Sequence, residues 1–326
     1  MRRKKAKTIS AHIQQNSPFL LFVLCFALVY FLGSFNHAPK PTVVFVETND
    51  QKQILEEIKS RGIIRGGMTY AALWLSSKFG AEFQPGGYAF GENQTALAVF
   101  KELQDPTYKY IAIQEGLRKE EIADRYGKIL SWDKNKISEF QKNFDACEYV
   151  GEEGKYFPGT YLISKDASIQ DIKVEMENKF HENFQKIANS EQKEIYDEDQ
   201  VLIIASLIQR EAAGKSDMRL ISGVIWNRIF AGMPLQIDAT LQYVKGEDGK
   251  WWPPVKSEDK YLDSPFNTYQ QKGLPPSPIA NPGIAAIEAA INPLKTDCLF
   301  YLHDKRGAIH CSKNYEGHLW NIKNYL

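Results

Sequence analysis

VLIIASLIQREAAG, residues 201–214, decides how the rest of the chain is read. Its apolar residues run almost unbroken from Val201 to Ile208, which predicts a helix buried over most of its surface. Glu211 follows Ile208, Leu207 and Ile204 by three, four and seven residues, so its carboxyl group leans onto the apolar stripe. Burial disfavours a charged carboxylate and raises its pKa, and a carboxylic acid that keeps its proton near neutrality can donate it to a leaving group. Periodicity alone leaves two readings open: a general acid, or a structural glutamate paired with an arginine such as Arg228.

Upstream, residues 1–18 hold Arg2, Arg3, Lys4, Lys5 and Lys7 with no acidic residue, and the apolar run Phe19–Phe35 follows. Seventeen residues is short for a membrane span, so a cleaved signal peptide competes with an anchor. The run ends in Tyr30, Phe31, Leu32, Gly33, Ser34 and Phe35, a poor cleavage site, which favours an uncleaved transmembrane helix. The basic flank places residues 1–18 in the cytoplasm and the chain after about residue 36 outside the cell membrane. Lys plus Arg and Asp plus Glu balance at 40 each, so no charge excess points to nucleic acid or to an acidic polymer. Residues 36–42, with Pro39 and Pro41, read as a linker.

Residues 43–150 read as small α+β modules: a strand VVFVE, helices near 51–61 and 69–78, a strand–turn–helix in PGGYAFGENQTALAVFKEL, then a strand KYIAI and a helix from Arg118 to Tyr126. EGKYFPGTYLI (153–163) reads as a loop, and a one-sided helix covers 169–189 through Ile172, Val174, Met176, Phe180 and Phe184. Beyond Asp197 the spacing predicts helices over 199–213 and 216–231. A loop-rich stretch follows, with WWPP (251–254), SPFNTY (264–269) and GLPPSPIANPG (273–283). Asn281 and Pro282 look like the cap and first residue of a short helix stopped by Pro293. Cys298 and Cys311 flank a hairpin with a turn near 304–307. Simple register sets Phe300, not Cys298, against Cys311, which leaves a disulfide open.

Residues that could join Glu211 are Gln236, Asp238, Thr240, Asn267, Thr268, Tyr269 and His310. No GxSxG occurs and Ser206 sits within the buried helix, which argues against a nucleophilic triad. His303, His310 and His318 are separated by seven and eight residues, spacings that match no common metal-ligand pattern, so neither a metal nor a cofactor is expected. Trp251 and Trp252 could stack on sugar rings or cap a core.

The ordered runs ASLIQREA, VIWNRIFAGMPLQIDAT, FNTYQQKGLPPSPIANPG and AAINPLKTDCLFYL resemble the YceG-like family of endolytic murein (peptidoglycan lytic) transglycosylases. EGKYFPGTY and YIAIQEGLRKEEIADRY are similar to that family's connector and LysM-like subdomain, so the likeness runs from about Val43 to the end. It implies an α+β fold with a LysM-like amino-terminal part (43–150) and a mixed α+β catalytic domain (151–326). It also implies cleavage of the MurNAc–GlcNAc bond with a 1,6-anhydro-MurNAc end, and a link to peptidoglycan synthases. In that reading Glu211 is the catalytic acid and then base. Gln236 and Asp238 orient it or the acetamido groups, and Asn267 and Tyr269 bind the strand. Two departures stand out: Gly159 replaces the family's usual aspartate in FPGTY, and GAIHCSKNYEGH (307–318) is a residue shorter than the family pattern, which leaves His310 and His318 without assigned roles. An anchored wall-binding scaffold without turnover is the alternative, and hydrolysis with Asp238 activating water is a third reading.

Overall fold

The computed structural model describes residues 40–92, 94–142, 153–187 and 197–326. The apolar run Phe19–Phe35 lies outside them, and among the described residues no helix is long and apolar enough to cross a membrane. The chain divides into two compact units: residues up to Tyr110 with Tyr161–Asp166, and Ile111–Thr160 with Ala167–Leu326. Residues 111–142, grouped above with the amino-terminal modules, therefore lie in the second unit.

In the first unit, strand β1 (Thr42–Val46) leads into helices α1 (Gln51–Ser60) and α2 (Gly67–Lys78), strand β2 (Gly86–Phe90) and helix α3 (Ala96–Gln104). Asp50 starts α1 by accepting from the Lys52 and Gln53 amides, the usual way to satisfy free N–H groups at a helix start. β1 and β2 pair antiparallel with Val44 opposite Tyr88, and Val44, Val46, Ile54, Leu55, Tyr88 and Val99 form the core between sheet and helices. Gly86 and Gly87 are glycine for a packing reason. A Cβ at Gly86 would sit 2.5 Å from the Tyr108 carbonyl, and one at Gly87 2.9 Å from the Phe45 ring, so side chains there would push the strands apart. The sheet continues through β3 (Tyr108–Ile113) to β4 (Gly159–Ser164), in the order β1-β2-β3-β4. FPGTYLI thus enters a strand, where the sequence suggested only a loop; the alternation of buried Tyr161 and Ile163 is the signal that Pro158 and Gly159 obscured.

The second unit adds α4 (Lys119–Leu130), α5 (Lys134–Gln141), α6 (Ile169–Ile187), α7 (Glu198–Glu211), α8 (Met218–Phe230), α9 (Asp238–Lys245) and α10 (Ile284–Ile291). The hairpin β5 (Phe300–His303) and β6 (Ile309–Ser312) and helix α11 (Tyr315–Tyr325) complete it. α7 is the axis of this unit. Asp197 caps it through the Asp199 amide, every residue from Val201 to Ile208 is buried, and α10 packs along its length. Burying a side chain such as Ile204 or Leu207 contributes about 1.5–3 kcal/mol, so this helix is fixed as firmly as any part of the unit.

The polar residues of α7 have separate tasks. Ser206 Oγ accepts from the Ile279 amide at 3.1 Å and Gln209 Oε1 from the Gly283 amide at 3.0 Å, so two polar positions three residues apart clamp the IANPG loop. Asn281 does not cap α10 as its place before Pro282 suggested; that cap is Gly283. The fully buried Asn281 instead accepts from the Gly154 and Tyr156 amides and donates to the Leu117 carbonyl and to Glu153. Burial, reinforced by the nearby Glu120 charge, pushes the Glu153 carboxyl up to about 8. A raised acid pKa stabilises the fold below the unfolded value of 4.5, and that stabilisation is lost as pH rises through 8. Glu153→Gln should therefore gain stability over the unmodified protein across that window, at up to about 1.4 kcal/mol per pH unit. Parallel denaturant curves with pH-independent spacing would show that the carboxyl is not shielded.

The tryptophans of WWPP cap rather than stand free. Trp251 Nε1 donates to Asp124 and Trp252 Nε1 to Glu121, both on α4, while the Arg118 and Arg210 guanidinium groups lie 5.1 Å and 3.7 Å from the respective rings. With edges and faces engaged, they are framework residues. In the hairpin, Tyr301, not Phe300, lies opposite Cys311. Cys298 and Cys311 form a disulfide across 5.9 Å between their Cα atoms, within the normal span for such bonds.

Candidate active site

Three elements converge on Glu211, the last residue of α7. The helix itself carries the carboxyl to its end. β5 contributes Tyr301, whose hydroxyl donates to Glu211 Oε2 at 2.7 Å. The first turn of α9 contributes the Ala239 amide, which also hydrogen-bonds the carboxyl. Burial pushes the Glu211 pKa up, and the Asp238 charge adds to this; the Tyr301 and Ala239 hydrogen bonds and the His303 ring pull the other way, and the net shift is upward. Tyr301, itself buried beside a carboxyl, is pushed well above its ordinary pKa and remains a donor.

Arg228 is not the ion-pair partner of Glu211. Its Nε donates to the Leu299 carbonyl at 2.7 Å and its Nη1 to those of Leu235 at 2.6 Å and Pro234 at 3.4 Å, so it is a clamp for main chain. Of the two readings that periodicity left open, the arginine-paired structural glutamate therefore finds no such pair here. The carboxyl opens into a cleft of about 430 Å³, and Gln236, Asp238 and Tyr269 line it together with Glu211.

Two segments build that wall by bonding to one another. The Gln236 amide donates to the Thr268 carbonyl, the Ile237 amide to Thr268 Oγ1, and the buried hydroxyls of Thr240 and Thr268 meet at 3.0 Å. Gln236 adopts φ +52°, a left-handed backbone uncommon for a non-glycine residue, which turns the chain so that Asp238 opens α9 at the cleft. Asp238 Oδ1 accepts from the Tyr269 hydroxyl at 2.6 Å. Asn267 stands apart from the other predicted residues. It is fully buried behind the wall, its Nδ2 donating to the Leu262 and Lys260 carbonyls and its Oδ1 accepting from the Tyr269 amide, so it holds the loop that carries Tyr269. Thr240 and Thr268 are likewise internal.

The three histidines do different things. His303 Nε2 lies 2.7 Å from Asp217 Oδ2, and Asp217 also accepts from the Ala213 and Gly214 amides just after Glu211. His310 bonds Asp304 within the hairpin and stacks on Tyr325 at 3.6 Å between centroids. His318 lines the cleft with Phe300 and Tyr315. Among the described residues no group of three or more His, Cys, Asp or Glu side chains is placed to hold a metal ion. Sequence reasoning missed Tyr301. Its signal was the alternation of FYLH, which puts Tyr301 and His303 on one strand face two residues apart. Gly159 does not line the cleft; a Cβ there would meet the Lys179 ammonium at 2.7 Å, so the departure from FPDTY lies elsewhere in the unit.

Fold and site define a class: a mixed α+β protein presenting one shielded, phenol-bonded glutamic acid on the floor of a polar cleft. The YceG-like family profile matches residues 44–324, and the chain belongs to that family. It is 25% identical over 321 residues to a protein of Streptococcus pneumoniae serotype 2 named endolytic murein transglycosylase, covering 87% of this chain and 58% of that one. It is 36% identical over 170 residues to a protein of the same name from Bacillus subtilis, covering 51% of this chain and 46% of that one. The chain thus spans about half the length of these relatives. A crystal structure of a yceG-like protein from Listeria monocytogenes aligns with a TM-score of 0.57 at 24% identity, covering 86% of this chain and 99% of that one, which shows the shared fold.

Proposed function

We propose that the chain is a peptidoglycan lytic transglycosylase that cuts the MurNAc–GlcNAc bond endolytically on nascent strands, leaving a 1,6-anhydro-MurNAc end. The observation that carries this reading is Glu211 with its raised pKa in the open cleft, in a chain similar to two proteins named endolytic murein transglycosylase. Glu211 gives its proton to the glycosidic oxygen as the bond from the muramic acid C1 breaks, and the GlcNAc leaves as an alcohol. The muramic acid's own C6 hydroxyl attacks C1, and its proton returns to the Glu211 carboxylate. No water is consumed and the acid is regenerated, so one carboxylate suffices where ordinary glycosidases use two.

In this mechanism Tyr301 tunes Glu211. The phenol's hydrogen bond lowers the carboxyl pKa, so Tyr301→Phe raises it further. The alkaline limb of the rate profile, where the acid loses its proton, should move to higher pH, and the rate at neutral pH should fall about tenfold as the carboxyl becomes a weaker acid toward the glycosidic oxygen. A pH profile of Tyr301→Phe superimposable on the parent would remove the phenol from the mechanism. Asp238, held by Tyr269, orients the strand with Gln236, and Asn267 acts through the loop it supports.

The basic tail and the run Phe19–Phe35 tether the enzyme to the cell membrane with the catalytic unit outside, where new strands emerge from peptidoglycan synthases. Full-length protein should stay with membranes in high salt and leave them in detergent; release by salt alone would remove the anchor. The order β3–α4–α5–β4 supports a LysM-like role in holding or spacing the strand. Formation of borohydride-reducible ends during digestion would instead mean hydrolysis, and glycan binding without products would mean a scaffold.

A further inference from the structure

One wall of the cleft is a stack built on Phe300. The Arg228 guanidinium lies 5.1 Å from the Phe300 ring centroid, and the His318 imidazole stacks on the same ring at 5.4 Å and 25°. Tyr315 closes on Phe300 at 5.9 Å. Arg228 is immobilised by its three carbonyl partners, so the stack has a rigid base.

His318 carries an unusual feature. Its Nδ1 is buried without a hydrogen-bond partner, although the residue lines the cleft. Nε2 is therefore the ring nitrogen left to the cleft. Burial and the Arg228 charge both lower the ring's pKa, which keeps it neutral near neutral pH. A neutral imidazole has one N–H and one lone pair, and a buried N–H without an acceptor is the rarer and costlier orphan. The tautomer that avoids this cost carries its proton on Nε2.

We propose that His318 Nε2–H, in the cleft that the fixed Arg228 guanidinium also lines, forms a subsite for an amide carbonyl oxygen of the glycan strand. A neutral donor backed by a half-engaged cation suits a polar, uncharged acceptor, and the aromatic faces of Phe300 and Tyr315 suit the methyl group beside it. Two carbonyls of peptidoglycan share this chemistry: that of an N-acetyl group, and that joining the lactyl ether to the peptide stem. The inference rests on the transglycosylase reading for the identity of the strand, and His318 here is a specificity residue rather than a proton-transfer group.

The test uses the full chain carrying Glu211→Gln, so that binding is read without turnover; cleavage by that parent would sink the transglycosylase reading separately. Dissociation constants are measured for purified intact strands, amidase-stripped strands and de-N-acetylated strands. His318→Phe should weaken binding of intact strands about fivefold, and His318→Gln, which keeps an N–H donor, should restore it to within about twofold. The deficit should vanish on de-N-acetylated strands if the N-acetyl carbonyl is recognised; if the lactyl carbonyl is, which amidase turns from an amide into a carboxylate, the deficit should persist on de-N-acetylated strands and change on amidase-stripped ones. Equal binding of the His318→Phe protein and its parent to all three strands overturns the proposal, as does a fivefold loss that glutamine does not restore. Imidazole nitrogen NMR gives a second reading without substitution: the Nε2–H tautomer at neutral pH with an Nε2 shift on adding strands is expected, and a cationic or Nδ1–H ring contradicts it.

Discussion

Glu211→Gln is expected to lower strand cleavage by about a hundredfold to ten-thousandfold, the usual cost of removing a positioned general acid. The substitution is nearly isosteric, and the glutamine carbonyl can still accept from the Tyr301 hydroxyl, so the framework around it should stand. Stability should move in the opposite direction from activity. The raised pKa of Glu211 stabilises the fold below the unfolded carboxyl value, and that stabilisation is lost as pH rises through the folded value. Glutamine has no such loss, so the variant should gain on the parent as pH rises through that window. A variant that is inactive because it has unfolded would show the reverse, and parent-like turnover would end the assignment of Glu211.

The largest stability effect away from the cleft should come from Asn281→Ala. One buried side chain accepts two main-chain amides, from Gly154 and Tyr156, and donates to the Leu117 carbonyl and to Glu153. Alanine leaves all four groups without that partner in a site that excludes water, which should cost roughly 3–4 kcal/mol. For a unit of this size that is a fall of roughly 6–16 °C in the thermal midpoint. Because the clamp also seats the loop bonded to Ser206 and Gln209, activity at low temperature should fall less than stability does. A midpoint within a degree or two of the parent would show that the four bonds are replaced by water.

Glu211 was legible in the sequence because α7 is so uniformly apolar that a carboxyl on its stripe stands out by spacing alone. Gln236, Asp238, Asn267 and Tyr269 stood among the polar candidates in the sequence, but only resemblance gave them roles. The structure brings Gln236, Asp238 and Tyr269 to the cleft and sets Asn267 behind it, a distinction that depends on which way a loop side chain faces. α9 escaped notice because it is a helix of only eight residues at the start of a loop-rich stretch, too short to show a period. Asn281 was misread for a good local reason: an asparagine before proline fits a helix start, and only tertiary contacts from Leu117, Glu153, Gly154 and Tyr156 claim it. Tyr301 escaped notice because its partner Glu211 lies 90 residues away and nothing local to FYLH marks which strand face meets the cleft.

In the proposed reaction the C6 hydroxyl of the sugar, not water, is the nucleophile that Glu211 activates. This is tested most directly by digesting purified peptidoglycan in ¹⁸O-labelled water and weighing the muropeptides. The expected products are one water lighter than reducing-end muropeptides, free of ¹⁸O and absent with Glu211→Gln. Reducing ends carrying ¹⁸O would contradict that reaction.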